Sequence, residues 1–199
     1  MRAAIGILDY GLGNISAFLN IYRDLGISAF PVSNSSQLSN VSHLILPGVG
    51  SFDWAMTRLD YTGIRDKLDY LVSNTGLPIL GVCVGFQIMC RSSEEGTSPG
   101  LCWLDADVRN LRSAVNDPSP RKLLLPHMGW NLISRTEPYH PIFKGINDLH
   151  FYFLHSYYVS VNTATISIAD SLYGQHFCCA AAVSNVLGVQ FHPEKSHDA

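Results

Sequence analysis

Charge is scarce in this sequence. Charged residues make up 15% of its 199 residues, Lys+Arg 13 against Asp+Glu 16, for a formal net charge of −3. No basic stretch supplies the field that draws proteins to a polyanion, which excludes nucleic acid as a partner class, and no run of like charges is long enough to act as a tail. Long apolar runs are missing too. The stretch from Met1 meets Asp9 too soon for a signal peptide, and nothing later approaches the length that spans a bilayer. The expectation is a cytoplasmic protein with no membrane partner. Paired cysteine motifs are absent: Cys83, Cys90, Cys102, Cys178 and Cys179 show no C-x-x-C spacing of a zinc or redox site, so in a reducing compartment most are small buried side chains. The glycosylation patterns at Asn14 and Asn40 carry no meaning without export. With no internal repeat or low-complexity tract, and 47% hydrophobic residues in 21.9 kDa, one globular domain is expected.

What is present in the first half is an alternation of strands and helices. The apolar run Ala3 to Leu8 ends at Asp9-Tyr10-Gly11 and precedes Ile15, Phe18, Leu19 and Tyr22 at helical spacing, with Asn14 placed to cap the helix and Gly26 to end it. Ala29 to Val32 and His43 to Leu46 read as further strands, the latter halted by Pro47-Gly48-Val49-Gly50. Ile64, Leu68, Leu71 and Val72 mark a second amphipathic helix, and Pro78 to Val82 a buried strand. Such alternation requires a doubly wound, mostly parallel α/β sheet flanked by helices. From about Asp107 the texture turns β-rich, as in Phe151 to Leu154 and Ala180 to Val183, which predicts antiparallel additions to the same sheet. Asn116 to Pro120 reads as an exposed loop.

Gly81-Val82-Cys83-Val84-Gly85 stands where a buried strand gives way to a helix, the setting of a nucleophile elbow. A helix N-terminus there favours thiolate over thiol. A buried structural cysteine is the plain alternative, and the elbow outweighs it only if a base exists. Gly188 to Glu194 supplies one: an apolar strand ends by presenting His192 and Glu194 two residues apart, on one side if Pro193 keeps the chain extended. A carboxylate beside an imidazole fixes its tautomer and stabilises the imidazolium, as a base for a thiol requires; an edge histidine paired with a surface glutamate is the bland reading. Val49 and Gly50, after a strand end, could turn backbone N–H groups into a cavity and form an oxyanion hole with Val84, or simply make a tight turn.

Other patterns carry less. Gly11-Leu12-Gly13-Asn14-Ile15-Ser16 lacks the third glycine of a dinucleotide fingerprint and no acid follows near Val32, so cap and turn is the better reading. His127 and His155 have no third ligand at a recognisable spacing, which favours partner contact or core packing over metal. Cys178 and Cys179, as strand neighbours, point to opposite faces.

These pieces together resemble the class I glutamine amidotransferases, and within them the glutaminase subunits of imidazole glycerol phosphate synthases of histidine biosynthesis. The resemblance spans nearly the whole chain: Asp9 to Asn14, Leu46 to Gly50, Gly81 to Gln87, Ser93 to Gly96, Pro126 to Asn131, Phe153 to Tyr157 and Gly188 to Ser196. The elbow and His-Pro-Glu pieces belong to the whole class; Pro126-His127-Met128-Gly129-Trp130-Asn131 is more particular to that subunit. The resemblance implies nucleophile, base and orienting acid at Cys83, His192 and Glu194, and an oxyanion hole at Val49, Gly50 and Val84. It implies glutamine recognition at Gly48, Gln87, Glu95, Ser156 and Tyr157. It further implies a face at Asn14, Pro126, Met128, Trp130, Tyr152 and Lys195 for a (β/α)8-barrel synthase partner, and no cofactor or metal. Two departures stand out. The sequence ends at His197-Asp198-Ala199 where relatives usually continue into a last helix, and the Ser113 to Arg121 loop is longer than in several of them.

Three alternatives remain at this level. A paralogous subunit would use the same chemistry to amidinate bacterial surface sugars, and neighbouring genes distinguish it. A non-catalytic regulatory subunit would lack glutaminase activity. An α/β-hydrolase would place its acid before its histidine, whereas Glu194 follows His192.

Overall fold

The computed structural model describes residues 4–112, 123–136 and 138–196. The Ser113 to Arg121 loop, with Asn116 to Pro120 in it, and His197 to Ala199 lie outside the described residues. The apolar runs of the first half form strands β1 (Ile5–Leu8), β2 (Ala29–Val32), β3 (His43–Gly48) and β4 (Ile79–Cys83). They pair in parallel in the order β2-β1-β3-β4, and β11 (Val186–Val189) adds in parallel beside β4. Helix α1 (Ile15–Asp24) begins where predicted: the Asn14 side chain accepts a hydrogen bond from the Ala17 N–H at 3.1 Å.

Two local readings need correction. Strand β3 does not stop before Pro47, which pairs with Val82 as Gly48 pairs with Cys83. The Pro47 carbonyl takes the buried Tyr10 hydroxyl at 2.7 Å, so the extension carries both sides of the site together. A helix also stands where none was read, α2 (Phe52–Tyr61), whose buried Phe52, Ala55, Met56 and Leu59 follow helical spacing. Helix α3 (Arg65–Thr75) buries Leu68 and Val72 as expected.

The second half is antiparallel, as its texture predicts. Strands β6 (His127–Arg135), β7 (His150–His155), β9 (Ser167–Tyr173) and β10 (Gln175–Val183) continue the sheet from β11 in the order β11-β10-β9-β6-β7. Strands β5 (Ala106–Asn110) and β8 (Tyr157–Val161) pair with each other, and β8 joins β10. The parallel half therefore delivers the ends of β3 and β4 to one spot, and the antiparallel half closes over it with the β7–β8 corner.

Candidate active site

Cys83 ends β4 with φ 56 and ψ −112, a backbone conformation that side chains other than glycine rarely adopt. The sharp turn survives because its surroundings lock it: a Cβ on Gly85 would overlap the Leu46 carbonyl, and one on Gly48 would overlap the Gly85 nitrogen. The helix that follows, α4 (Val84–Gln87), is a single turn. Its dipole is correspondingly small, and the chemistry open to Cys83 falls mainly to neighbouring groups.

Those groups surround a cavity of about 280 Å³ lined by Val49, Gly50, Cys83, Val84, Gln87, Glu95, Pro126, Leu154, His155, Ser156, Tyr157 and His192. All the proposed nucleophile, base and oxyanion positions meet there. Gly48 does not line it; it packs behind the elbow instead. The volume suits a ligand of amino-acid size better than a drug-sized one.

His192 is 2% exposed, and its Nδ1 lies 2.8 Å from Glu194 Oε1. With Nδ1 committed, Nε2 is the nitrogen left for Cys83. Burial by itself lowers the imidazole pKa, but hydrogen bonds to Cys83 and Glu194 and the charges of both prevail and raise it to about 9. The backbone route differs from the extended one expected. His192 is extended, but Pro193–Lys195 forms a 3-10 turn that folds the glutamate back, held by Ser196 Oγ donating to the His192 carbonyl at 2.6 Å. The other Glu194 oxygen has no hydrogen-bond partner among the described residues.

Glu95 reaches the cavity from the segment after α4 and accepts the Phe52 N–H at 2.8 Å, at the start of α2. Asp53 returns the contact, accepting the N–H groups of Thr97 and Ser98 at 3.0 Å each. Hydrogen bonds from Thr97 and then Ser98 hold the Asp53 carboxyl below the usual carboxylate range. This reciprocal clasp ties the Glu95 to Ser98 segment to the start of α2, just after Val49 and Gly50.

Gln87 commits both Nε2 hydrogens inward, to the Tyr157 carbonyl at 3.0 Å and to Gln190 Oε1 at 3.0 Å. Its amide oxygen is what remains for a ligand. Gln190, unremarked in the sequence reading, donates in turn to Cys83 Sγ at 3.7 Å. Period-two alternation puts it on the same side as His192, which is the signal that could have found it. His127 and His155 pack into the core beside the site. His127 stacks against Phe153 and Tyr173, its Nδ1 is 3.0 Å from His155 Nε2, and His155 Nδ1 is 2.8 Å from the Tyr157 carbonyl. Burial holds the first near 4 and the second near 3, so both are neutral. No cluster of three metal-ligating side chains occurs among the described residues. Burial likewise raises the Cys178 thiol to about 12 and lifts those of Cys90 and Cys179.

Outside the cavity mouth, Met128, Trp130 and Leu132 alternate along β6 and are 65%, 50% and 50% exposed. Opposite them in register stand Leu154 against Met128 and Tyr152 against Trp130. Lys195 Nζ sits 5.8 Å from the centre of the Tyr152 ring, and α1, with exposed Asn14 at its head, touches the Pro193–Lys195 turn. Pro126 and Leu154 belong both to this apolar ridge and to the cavity wall. No helix among the described residues is long and apolar enough to cross a membrane.

Comparison with known proteins matches residues 7–199 to the family glutamine amidotransferase class-I. The imidazole glycerol phosphate synthase subunit HisH of Bdellovibrio bacteriovorus is 46% identical over 195 residues, covering 98% of this chain and 94% of that protein. The HisH subunit of Leptospira interrogans is 44% identical over 193 residues, covering 97% and 93%. Among solved structures, a glutamine amidotransferase superposes with TM-score 0.71 at 21% identity, covering 96% of this chain and 90% of the other. PurLQS from Thermotoga maritima gives 0.68 at 17% identity, covering 98% and 89%.

Proposed function

This chain belongs to the class-I glutamine amidotransferases, and from that premise we propose that it is the glutaminase subunit of an imidazole glycerol phosphate synthase. In this reading it releases ammonia from glutamine for a (β/α)8-barrel partner that makes imidazole glycerol phosphate and an aminoimidazole carboxamide ribotide. The observation that carries the chemistry is the meeting of Cys83 and His192 in one cavity, with Glu194 bound behind the imidazole.

Cys83 sulfur attacks the side-chain amide carbon of glutamine, and the oxyanion faces the backbone of Val49, Gly50 and Val84. Protonated His192 gives its Nε2 proton to the departing nitrogen, the C–N bond breaks, and ammonia leaves a γ-glutamyl thioester. Water then yields a proton to His192 and its oxygen attacks the thioester carbon; the C–S bond breaks with its electron pair returning to sulfur, and glutamate departs. Glu194 keeps the imidazole in the required tautomer throughout. Glu95 is the natural partner for the substrate ammonium, with Gln87 oxygen and the Ser156–Tyr157 segment bounding the rest.

Ammonia released into water is protonated and lost as a nucleophile. A partner seated on the Met128–Trp130 ridge would cover the cavity mouth, since Pro126 and Leu154 form part of both. Relatives named as imidazole glycerol phosphate synthase subunits, at 46% and 44% identity, favour that partner over the surface-sugar one. The test is glutamine hydrolysis by the chain alone, with the barrel partner, and with partner plus acceptor ligand. Turnover should rise at each addition and vanish in Cys83→Ala while partner binding persists. Full turnover in Cys83→Ala would overturn the assignment of the nucleophile, and turnover indifferent to partner would overturn the coupling.

A further inference from the structure

We propose that Gln190 is a catalytic hydrogen-bond donor to the Cys83 sulfur, held in its donating orientation by a string of polar groups that ends at a backbone carbonyl. The inference rests on Cys83 being the nucleophile. Gln190 is 0% exposed, and a primary amide is expensive to bury without partners. It has partners on both ends: Oε1 accepts from Gln87 Nε2 at 3.0 Å, and Nε2 lies 3.7 Å from Cys83 Sγ.

An amide could in principle be turned over, exchanging oxygen for nitrogen. Here the string forbids it. The Tyr157 carbonyl can only accept, and it accepts from Gln87 Nε2 at 3.0 Å and from His155 Nδ1 at 2.8 Å. Gln87 must therefore keep its nitrogen toward Tyr157, and the second hydrogen of that nitrogen points to Gln190. Turning Gln190 over would set donor against donor there and oxygen against sulfur at the other end. Beyond Tyr157, His155 Nε2 faces His127 Nδ1 at 3.0 Å, and His127 Nε2 faces Asn131 Nδ2 at 3.3 Å, so each tautomer is fixed in the same sense.

The consequence is an N–H aimed at sulfur from a buried residue that does not itself line the cavity. Such a bond is stronger to a thiolate than to a thiol or thioester sulfur. It thus favours the charged nucleophile before attack, and it steadies the electron pair that returns to sulfur when the thioester carbon–sulfur bond breaks.

The test uses the full chain with Gln190→Met, which keeps length and loses the donor, and Gln190→Glu, which keeps shape and places an acceptor there. Cys83 alkylation by iodoacetamide is followed against pH by mass spectrometry of the Cys83 peptide, a measurement that needs no glutamine. The alkylation midpoint should move up by about one pH unit in Gln190→Met, a roughly tenfold smaller thiolate fraction below the midpoint, and further in Gln190→Glu. With glutamine and partner present, kcat should fall while KM stays within about twofold. If either folded variant keeps the parent midpoint, the proposal is wrong, whatever happens to its melting temperature. Because alkylation is read without turnover, failure of the glutaminase assignment would show separately, as a parent chain that alkylates at Cys83 yet hydrolyses no glutamine.

Discussion

Replacing Glu194 by Gln keeps an acceptor of nearly the same shape 2.8 Å from His192 Nδ1 but removes its charge. The imidazole stands at about 9 against an ordinary 6.5, a preference for the protonated form of ~3 kcal/mol at ~1.4 kcal/mol per pH unit. Burial opposes that preference, so Cys83 and Glu194 together supply more than the net figure, and the carboxylate's share should be worth about one pH unit or more. The alkaline limb of kcat/KM in the partner-bound enzyme, which reports the Cys83–His192 pair, should move from about pH 9 to about pH 8 or lower. Stability must follow the same titration. A raised histidine contributes in full below its unfolded value near 6.5 and loses that contribution as pH rises through about 9. Urea unfolding should therefore show Glu194→Gln at its greatest disadvantage below about pH 6.5, with the gap narrowing steadily until it closes above about pH 9. An alkaline limb common to both proteins, or a stability gap that widens with pH, would refute the argument.

His127 and His155 are held neutral near 4 and near 3, so the unfolded chain binds more protons below about pH 6.5. Stability should fall from there toward about pH 4 with a slope approaching ~2.7 kcal/mol per pH unit from the two groups, and a flat urea midpoint over that range would contradict their burial. Asp53→Asn weakens the clasp that holds Thr97 and Ser98, and it should raise KM for glutamine by about tenfold with a smaller effect on kcat. Equal losses in both constants would show that the clasp does not act through Glu95. Cys90→Ala and Cys179→Ala should lower stability by about 1–2 kcal/mol as buried volume is lost while kcat per folded molecule stays put, and loss of turnover in either would require a role beyond packing.

The parallel half was legible because each apolar run is bounded by glycine, proline or asparagine, and local chemistry decides where such strands begin and end. Helix α2 was legible too in principle: Phe52, Ala55, Met56 and Leu59 carry the spacing, but they follow Pro47 to Gly50 so closely that the turn signal overshadows them. The elbow could be placed from its glycines, whereas the reason Gly48 must be glycine could not, since its neighbour Gly85 lies across the strand end rather than along the chain. His192 and Glu194 meet through a turn where extension was expected, which residue spacing alone cannot distinguish. Gln190 escaped because its partners Cys83 and Gln87 stand more than a hundred residues away. Long-range polar pairing leaves no local trace in composition or period.

The positive φ of Cys83 has a consequence for evolution in the laboratory. Glycine is the one residue at ease in that conformation, so Cys83→Gly relieves the turn at the very position where the chemistry is lost. Strain of this kind is worth on the order of 1–3 kcal/mol, enough to lift a variant to the top of a population sorted only for resistance to heat. A library of this chain ranked by thermal survival without a turnover screen would accordingly drift toward chains that are sturdier and inert.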